Sequence, residues 1–467
     1  MVRHPNILWL VVDALRFDRC GCYGYPKQTT PTLDRLAAEG LRANIAIAQG
    51  GYSLPSYATM LTGLYPTEHG LFRYPAQLPA DLPTLAEKLG AVGYRSACIG
   101  GNPFFNEFFG ITRGFDSVQM YERINIAPPI SEDGALASIE PRQWPSFLAN
   151  CGLSCLGLRD KGGAGINRLV EQFATASDSQ WFCFIHYMEV HSPYWPPLRH
   201  RLAQQESLTG LLSGVRYARH VFDDGLTAAA GRAPMRLRSD LYDGGVAYTD
   251  ELIGRLLRSL YRRGQLNNTV VVVCSDHGEM MGEEGLFRHE VGFGETLVRV
   301  PLVIWAPDYI APGRVDEGVV ELRDVTHSLT GVAEADGPAA GAREPHVLFA
   351  DGEIDPERVA LSEWVRSDVP HISANSDYRA LMEEKDRTAR LLRHRDWQFI
   401  EYEDGEQVLE RMPPAAPADA EDYERRLEWF GDRMAETVAN LQPASGTGSA
   451  EEMPAEVAGR LRQLGYF

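Results

Sequence analysis

Three stretches place polar residues where apolar runs stop. NILWLVV ends on Asp13, TVVVVCS ends on Asp276-His277, and Ser53 lies in GGYSLPSYATMLTG, just ahead of a helical pattern. Taken singly, each has a modest explanation: an acid at a strand end can cap a helix, and serine is among the commonest N-cap residues. Two adjacent polar side chains seldom end a buried strand without a partner, however. Together, Asp13, Ser53, Asp276 and His277 make an oxygen-rich set with one nitrogen, suited to a divalent cation. Such an ion lowers the pKa of a bound hydroxyl, which makes Ser53 a candidate nucleophile at neutral pH. The helix starting beside Ser53 would also present N–H groups to an anionic substrate, so capping and catalysis are compatible there. Arg16 and Asp18, just after Asp13, either steer an anion or brace the loop as a buried ion pair.

The elements that must position these residues read as an α/β sheet, in which ligands bind beyond the carboxyl ends of the strands. Apolar runs at 6–12, 95–99, 181–186, 269–274 and 300–307 are of strand length, and near-continuous runs of this kind belong to sheets covered on both faces. Thr30-Pro31 and Gly40 bracket one helix; 241–262, with Leu252, Ile253, Leu256, Leu257 and Leu260 on one face and Gly264 beyond its end, makes another. The stretch 394–410 alternates around Glu-Asp-Gly like a hairpin. MPPAAPADAEDYE and PASGTGSAEEMPAE have linker composition, and EVAGRLRQLGYF is amphipathic. These patterns predict a catalytic domain over 1–365, with a possible cap insertion at 200–240, and a small α+β subdomain over 366–467.

Length and charge narrow the classes. A chain of 467 residues suits one large domain and a smaller one. Its net charge of −19 argues against a nucleic-acid surface and against simple adhesion to anionic membranes. The N-terminal apolar run is short and ends on an acid, unlike a signal peptide, and no segment has membrane-spanning length. The seven cysteines have no zinc-ribbon spacing, and Cys183 and Cys274 sit inside apolar runs, so reduced thiols in a cytoplasmic protein are expected.

Six blocks in order carry a family resemblance: NILWLVVDALRFD, CYGY with TTPTLDRLAAEG, SLPSYATMLTGLYPTEHG, HYMEVHSPYWPP, YDGGVAYTDELIGRLL and CSDHGEMMGEEGLFRHEVGFGETLVRVPLVI. Over residues 5–310 the chain resembles the sulfatase-like branch of the alkaline phosphatase superfamily. The resemblance implies an α/β/α sandwich with a mostly parallel sheet, a metal-bound nucleophile, and hydrolysis or transfer of sulfate or phosphate esters. It also brings His191 to a position where a histidine meets the ester, although a histidine held by a Pro-rich loop is the alternative. His289 falls where relatives have a lysine, and could donate a proton to the leaving group or bind a second cation. A second metal would want an acid where Tyr187 stands, so one ion is the simpler expectation. His69 matches a position that is more often structural. His186 is read as a core residue, Glu279 as an outer partner of His277, and Tyr194 and Trp195 as pocket lining or packing.

Departures from the pattern matter equally. Sulfatases of this kind carry C-x-P-x-R or S-x-P-x-R, whose first residue becomes formylglycine, whereas Tyr57 stands here in place of the arginine. Ala14 follows Asp13 where a second acid is usual, and His277 replaces a frequent asparagine, moving preference from calcium toward manganese or zinc. The expected activity is therefore metal-dependent hydrolysis of a phosphate or phosphonate ester, a phosphodiester included, with Ser53 as nucleophile. His191 and His289 assist, and Arg16 and Tyr57 join them as substrate-binding candidates. The substrate would be a small-molecule, glycan-linked or lipid-linked anionic ester. A sulfatase with Ser53 converted to formylglycine is the runner-up; a phospho-group transferase and an inactive binding protein are further alternatives.

Overall fold

The structure, a computed structural model, describes residues 4–121, 152–204 except 155 and 159, 235–333, 348–349, 355, 357–366, 376–412, 419–444, and 453–461 except 456, 459 and 460. Most of the anticipated insertion, 205–234, and of the terminal amphipathic piece lies outside them.

The large sheet is built from β1 (Asn6–Val12), β2 (Leu41–Ile47), β3 (Arg95–Gly100), β4 (Ser117–Met120), β5 (Trp181–Tyr187) and β6 (Thr269–Cys274). After the two-residue strands β7 (Met280–Met281) and β8 (Phe287–Arg288), which pair with each other, come β9 (Arg299–Val300), β10 (Leu302–Trp305) and β11 (Arg314–Glu321). The order is β11-β2-β10-β6-β1-β5-β3-β4, with β9 on β2. Pairs β6-β1-β5-β3-β4 are all parallel, and β10 runs antiparallel to its neighbours. Alternate residues of β1 feed two cores. Leu8, Leu10 and Val12 face one side, packed with α1 (Pro31–Glu39) and the longer helices; Ile7, Trp9 and Val11 face the other, packed with α2 (Ser53–Thr62). That is why the run reads as continuously apolar.

Further helices are α3 (Pro66–His69), α4 (Leu85–Ala91), α5 (Gly163–Thr175), α6 (Leu198–Gln204) and α7 (Met235–Arg262). A second, antiparallel sheet holds β12 (Ala360–Trp364), β13 (Ala389–His394), β14 (Trp397–Tyr402) and β15 (Gln407–Arg411). The expected hairpin is β14–β15, turning at Gly405 with φ +87°. The sheet begins at β12, ahead of residue 366, because β12 pairs with β13 rather than with the large sheet. Trp364, at its end, packs edge-on against Tyr52, the residue before Ser53. No described helix is long and apolar enough to cross a membrane.

Candidate active site

Neighbouring parallel strands bring the first two acids together. In the β1–β6 pairing Val11 lies opposite Cys274, so two residues further on Asp13 emerges beside Asp276. Ser275 ties the two strand ends: its Oγ accepts from the Leu15 N–H at 2.8 Å and lies 2.6 Å from the Val12 carbonyl. Ala14, at φ +59°, donates its N–H to Asp276 Oδ1 at 3.1 Å, so the position where relatives have a second acid serves here through its backbone. Gly278 follows because nothing larger fits: a Cβ there would sit 1.9 Å from the Thr296 carbonyl oxygen.

Tyr52 holds the N-cap position of α2 and Ser53 opens the helix. Ser53 Oγ lies 3.1 Å from His277 Nε2. The His277 ring is oriented from behind, Nδ1–H donating to the Gly278 carbonyl at 2.8 Å, so Nε2 turns its lone pair inward. Asp276 Oδ2 is 3.4 Å and Asp13 Oδ1 3.8 Å from that nitrogen. Both carboxylate oxygens are buried without a hydrogen-bond partner. Buried, uncompensated carboxylate oxygens facing a lone pair demand a cation, and the residues present fit a divalent metal ion.

His186 belongs to this group, and its reading as a core histidine alone is corrected. It is fully buried at the end of β5, with Nε2 3.0 Å from Asp13 Oδ2 and 2.6 Å from the Tyr57 hydroxyl. Asp13, His186 and Asp276 each offer a ligand atom within 4.8 Å of the others, a cluster that could hold a metal ion. Asn102 Nδ2 adds a donor to Asp13 Oδ2 at 3.3 Å.

A second set of side chains faces this cluster from loops. The His289 ring centroid is 4.2 Å from that of His277 and 5.0 Å from that of His191. His289 Nδ1 pairs with Glu279 Oε2 at 2.8 Å, and the Tyr194 hydroxyl donates to Glu279 Oε1. Glu279 is thus the partner of His289, correcting its assignment to His277, whose Nδ1 already has the Gly278 carbonyl. Burial opposes both charges, but the pairing wins: Glu279 is held down to about 2 and His289 is raised above the ordinary histidine value. His191 differs. Its Nδ1–H donates to the Ser192 carbonyl at 2.5 Å, and burial pushes it down to about 3, so it is a neutral imidazole.

Two expectations for substrate binding do not survive the geometry. Arg16 directs Nε and Nη2 at Asp18, and Nη1 at the Glu283 carboxylate and the Glu279 carbonyl. Its guanidinium is engaged as a loop brace. Tyr57 is fully buried, its hydroxyl among His186, Asp13 and Asn102, so it shapes the Asp13 surroundings instead of meeting substrate. Glu189 accepts from the Lys161 and Gly163 N–H groups. His69 braces α2: Nδ1 accepts from the Leu71 N–H and Nε2 faces Thr59 Oγ1 at 3.2 Å.

A cluster that could hold a metal ion thus lies beside a hydroxyl at the carboxyl ends of parallel strands, the place where an α/β sheet binds its ligand. The Sulfatase family model matches residues 5–335, and the chain belongs to that family. An arylsulfatase of Clostridium perfringens is 26% identical over 370 residues, covering 72% of this chain and 76% of the relative. An N-acetylglucosamine-6-O-sulfatase of Bacteroides thetaiotaomicron is 25% identical over 424 residues, covering 75% and 72%. Among solved structures, the phosphonate monoester hydrolase of Agrobacterium radiobacter shares the fold, with a TM-score of 0.69 at 19% identity over 97% of this chain and 98% of that one.

Proposed function

We propose that the protein hydrolyses a phosphate or phosphonate ester with Ser53 as an unmodified nucleophile. The observation that carries this reading is the position of Ser53 Oγ, 3.1 Å from His277 Nε2 beside the partnerless oxygens of Asp13 and Asp276. A divalent ion held by Asp13, Ser53, Asp276 and His277, with His186 at its edge, would lower the hydroxyl pKa and offset charge on the ester. Nitrogen from histidine favours manganese or zinc over calcium. Ser53 Oγ, its hydroxyl proton already released to solvent, attacks phosphorus in line, forming a P–O bond while the bond to the leaving oxygen breaks. That oxygen takes a proton from His289, kept charged by Glu279. Water then attacks the phospho-Ser53 group, giving one proton back to His289 as Ser53 leaves. Neutral His191 accepts a hydrogen bond from water or substrate.

A sulfuric ester is the second reading, favoured by the curated names of the relatives. It requires conversion of Ser53 to formylglycine although Tyr57 occupies the arginine position. Nitrophenyl phosphate, phosphodiester, phosphonate and sulfate esters, assayed with manganese, zinc and calcium, separate the two. We expect phosphorus-ester turnover with manganese or zinc, reduced by roughly four orders of magnitude or more in Ser53→Ala. Turnover of the sulfate alone would overturn this assignment.

A further inference from the structure

Removing Arg16 and Tyr57 from the substrate-binding set leaves the site short of positive charge. Asp13 and Asp276 each leave a buried carboxylate oxygen without a hydrogen-bond partner, and His289 is matched by Glu279. Arg288 is matched as well, by Glu290 at 2.6 Å. An incoming anionic ester needs a cation that is not already paired.

One lies on a loop that no motif pointed to. Lys161 precedes α5 in RDKGGAG. Its Nζ donates to the carbonyl of His191, the residue whose ring faces His289. The residue as a whole keeps some exposure while the surrounding histidines have none, and burial pushes its ammonium down to about 8. It forms no ion pair with a described carboxylate, and an ammonium with one hydrogen bond has two further donors to give. Glu189, then Asp13 and Glu279, act on it electrostatically and favour its charged form against burial.

The loop is constructed to hold it there. Glu189, two residues beyond β5, accepts from the backbone N–H of Lys161 at 3.0 Å and of Gly163 at 2.7 Å, clamping the turn that starts α5. Gly162 turns at φ +124°, a conformation side chains rarely adopt, and a Cβ on Gly163 would meet Glu189 Oε1 at 2.7 Å. Such a turn lays the lysine stem over the His191 backbone instead of out into solvent.

We propose that Lys161 is the residue that binds a non-bridging oxygen of the ester. The inference rests on an anionic ester as substrate, but not on the identity of the nucleophile. An ammonium is a compact point charge and tolerates either phosphorus or sulfur oxyanions.

The test is binding of inorganic phosphate and inorganic sulfate to metal-loaded protein by titration calorimetry, comparing wild type, Lys161→Met and Lys161→Arg. Thermal melting would check folding, and Ser53→Ala serves as a control. Loss of one charge-assisted hydrogen bond corresponds to about 10- to 100-fold weaker anion binding in Lys161→Met. Lys161→Arg should recover most of it, and metal affinity should not move. In turnover the change should fall mainly on KM. If Lys161→Met folds and binds both anions as wild type does, the inference is overturned. If it alters melting alone, the role is structural and the inference is again overturned. Should Lys161→Met fail to fold, Lys161→Gln carries the same comparison. Wild type and Ser53→Ala binding the anions alike, with neither turning over an ester, would refute the proposed reaction and leave Lys161 standing.

Discussion

The floor and the wall of the site are built on different principles. Asp13, Asp276, His277 and Ser53 form the floor, and the backbone fixes each: strand ends in register, the first turn of α2, and the Gly278 carbonyl behind His277. His191, His289, Glu279, Tyr194 and Lys161 form the wall, and they hold one another mainly through side chains. Sheet and helix backbone resist displacement through many shared hydrogen bonds, so the floor can keep like charges close together. A side-chain wall can change with the substrate while the floor stays as it is. In a family that contains sulfatases and shares its fold with a phosphonate hydrolase, that division lets a common centre serve different esters.

Breaking each part should therefore have a different signature. The largest effect belongs to the floor. Asp276→Asn removes one of the two partnerless oxygens, and manganese or zinc affinity should fall by more than about 100-fold, beyond what loss of an outer partner costs. Calorimetry reads this without turnover. Unchanged metal affinity would mean that the ion sits elsewhere.

A smaller effect is expected in the wall. Glu279→Gln leaves the floor intact but removes the charge that keeps His289 protonated, so metal affinity should hold. The kcat for an alkyl ester should drop about 10- to 100-fold, within the range of general acid catalysis, with little change for a nitrophenyl ester whose leaving group needs no proton. Equal losses for both leaving groups would show that His289 is not the acid.

The smallest effect on chemistry comes from beneath the floor. Burial depresses His69 to about 3, so folding favours its neutral form. The unfolded chain then binds the extra proton between pH ~6.5 and ~3. Stability is accordingly complete above that window and declines as pH falls through it, with a ceiling of roughly 5 kcal/mol from this residue. Denaturant melts across that range should show the decline, and His69→Gln should flatten it while leaving kcat at neutral pH nearly unchanged. An identical slope in the variant would assign the acid sensitivity to other groups.

The same division explains what the sequence disclosed. Asp13, Ser53, Asp276 and His277 were legible because strand ends and helix starts leave a pattern, and parallel strands bring their ends to one place. His186 was hidden by its own run, WFCFIH, which looks like core because it is core and reaches Asp13 only at its last turn of direction. The Glu279–His289 pairing depends on the short β7–β8 hairpin, which brings residues ten apart face to face with no repeat to announce it. Lys161 sits among charged and glycine residues that read as an ordinary loop. Arg16 shows the converse, since a cation beside a catalytic acid looked available until its partners Asp18 and Glu283 were in view.

The central claim, that Ser53 acts as a plain hydroxyl, has a direct measurement: peptide mass spectrometry of the Ser53 segment, before and after an acid quench during turnover of a phosphorus ester. We expect an unmodified serine in the resting protein and one added phosphoryl group on the quenched peptide. A resting peptide lighter by two hydrogens, the mark of formylglycine, would contradict it and make the protein a sulfatase of the modified kind.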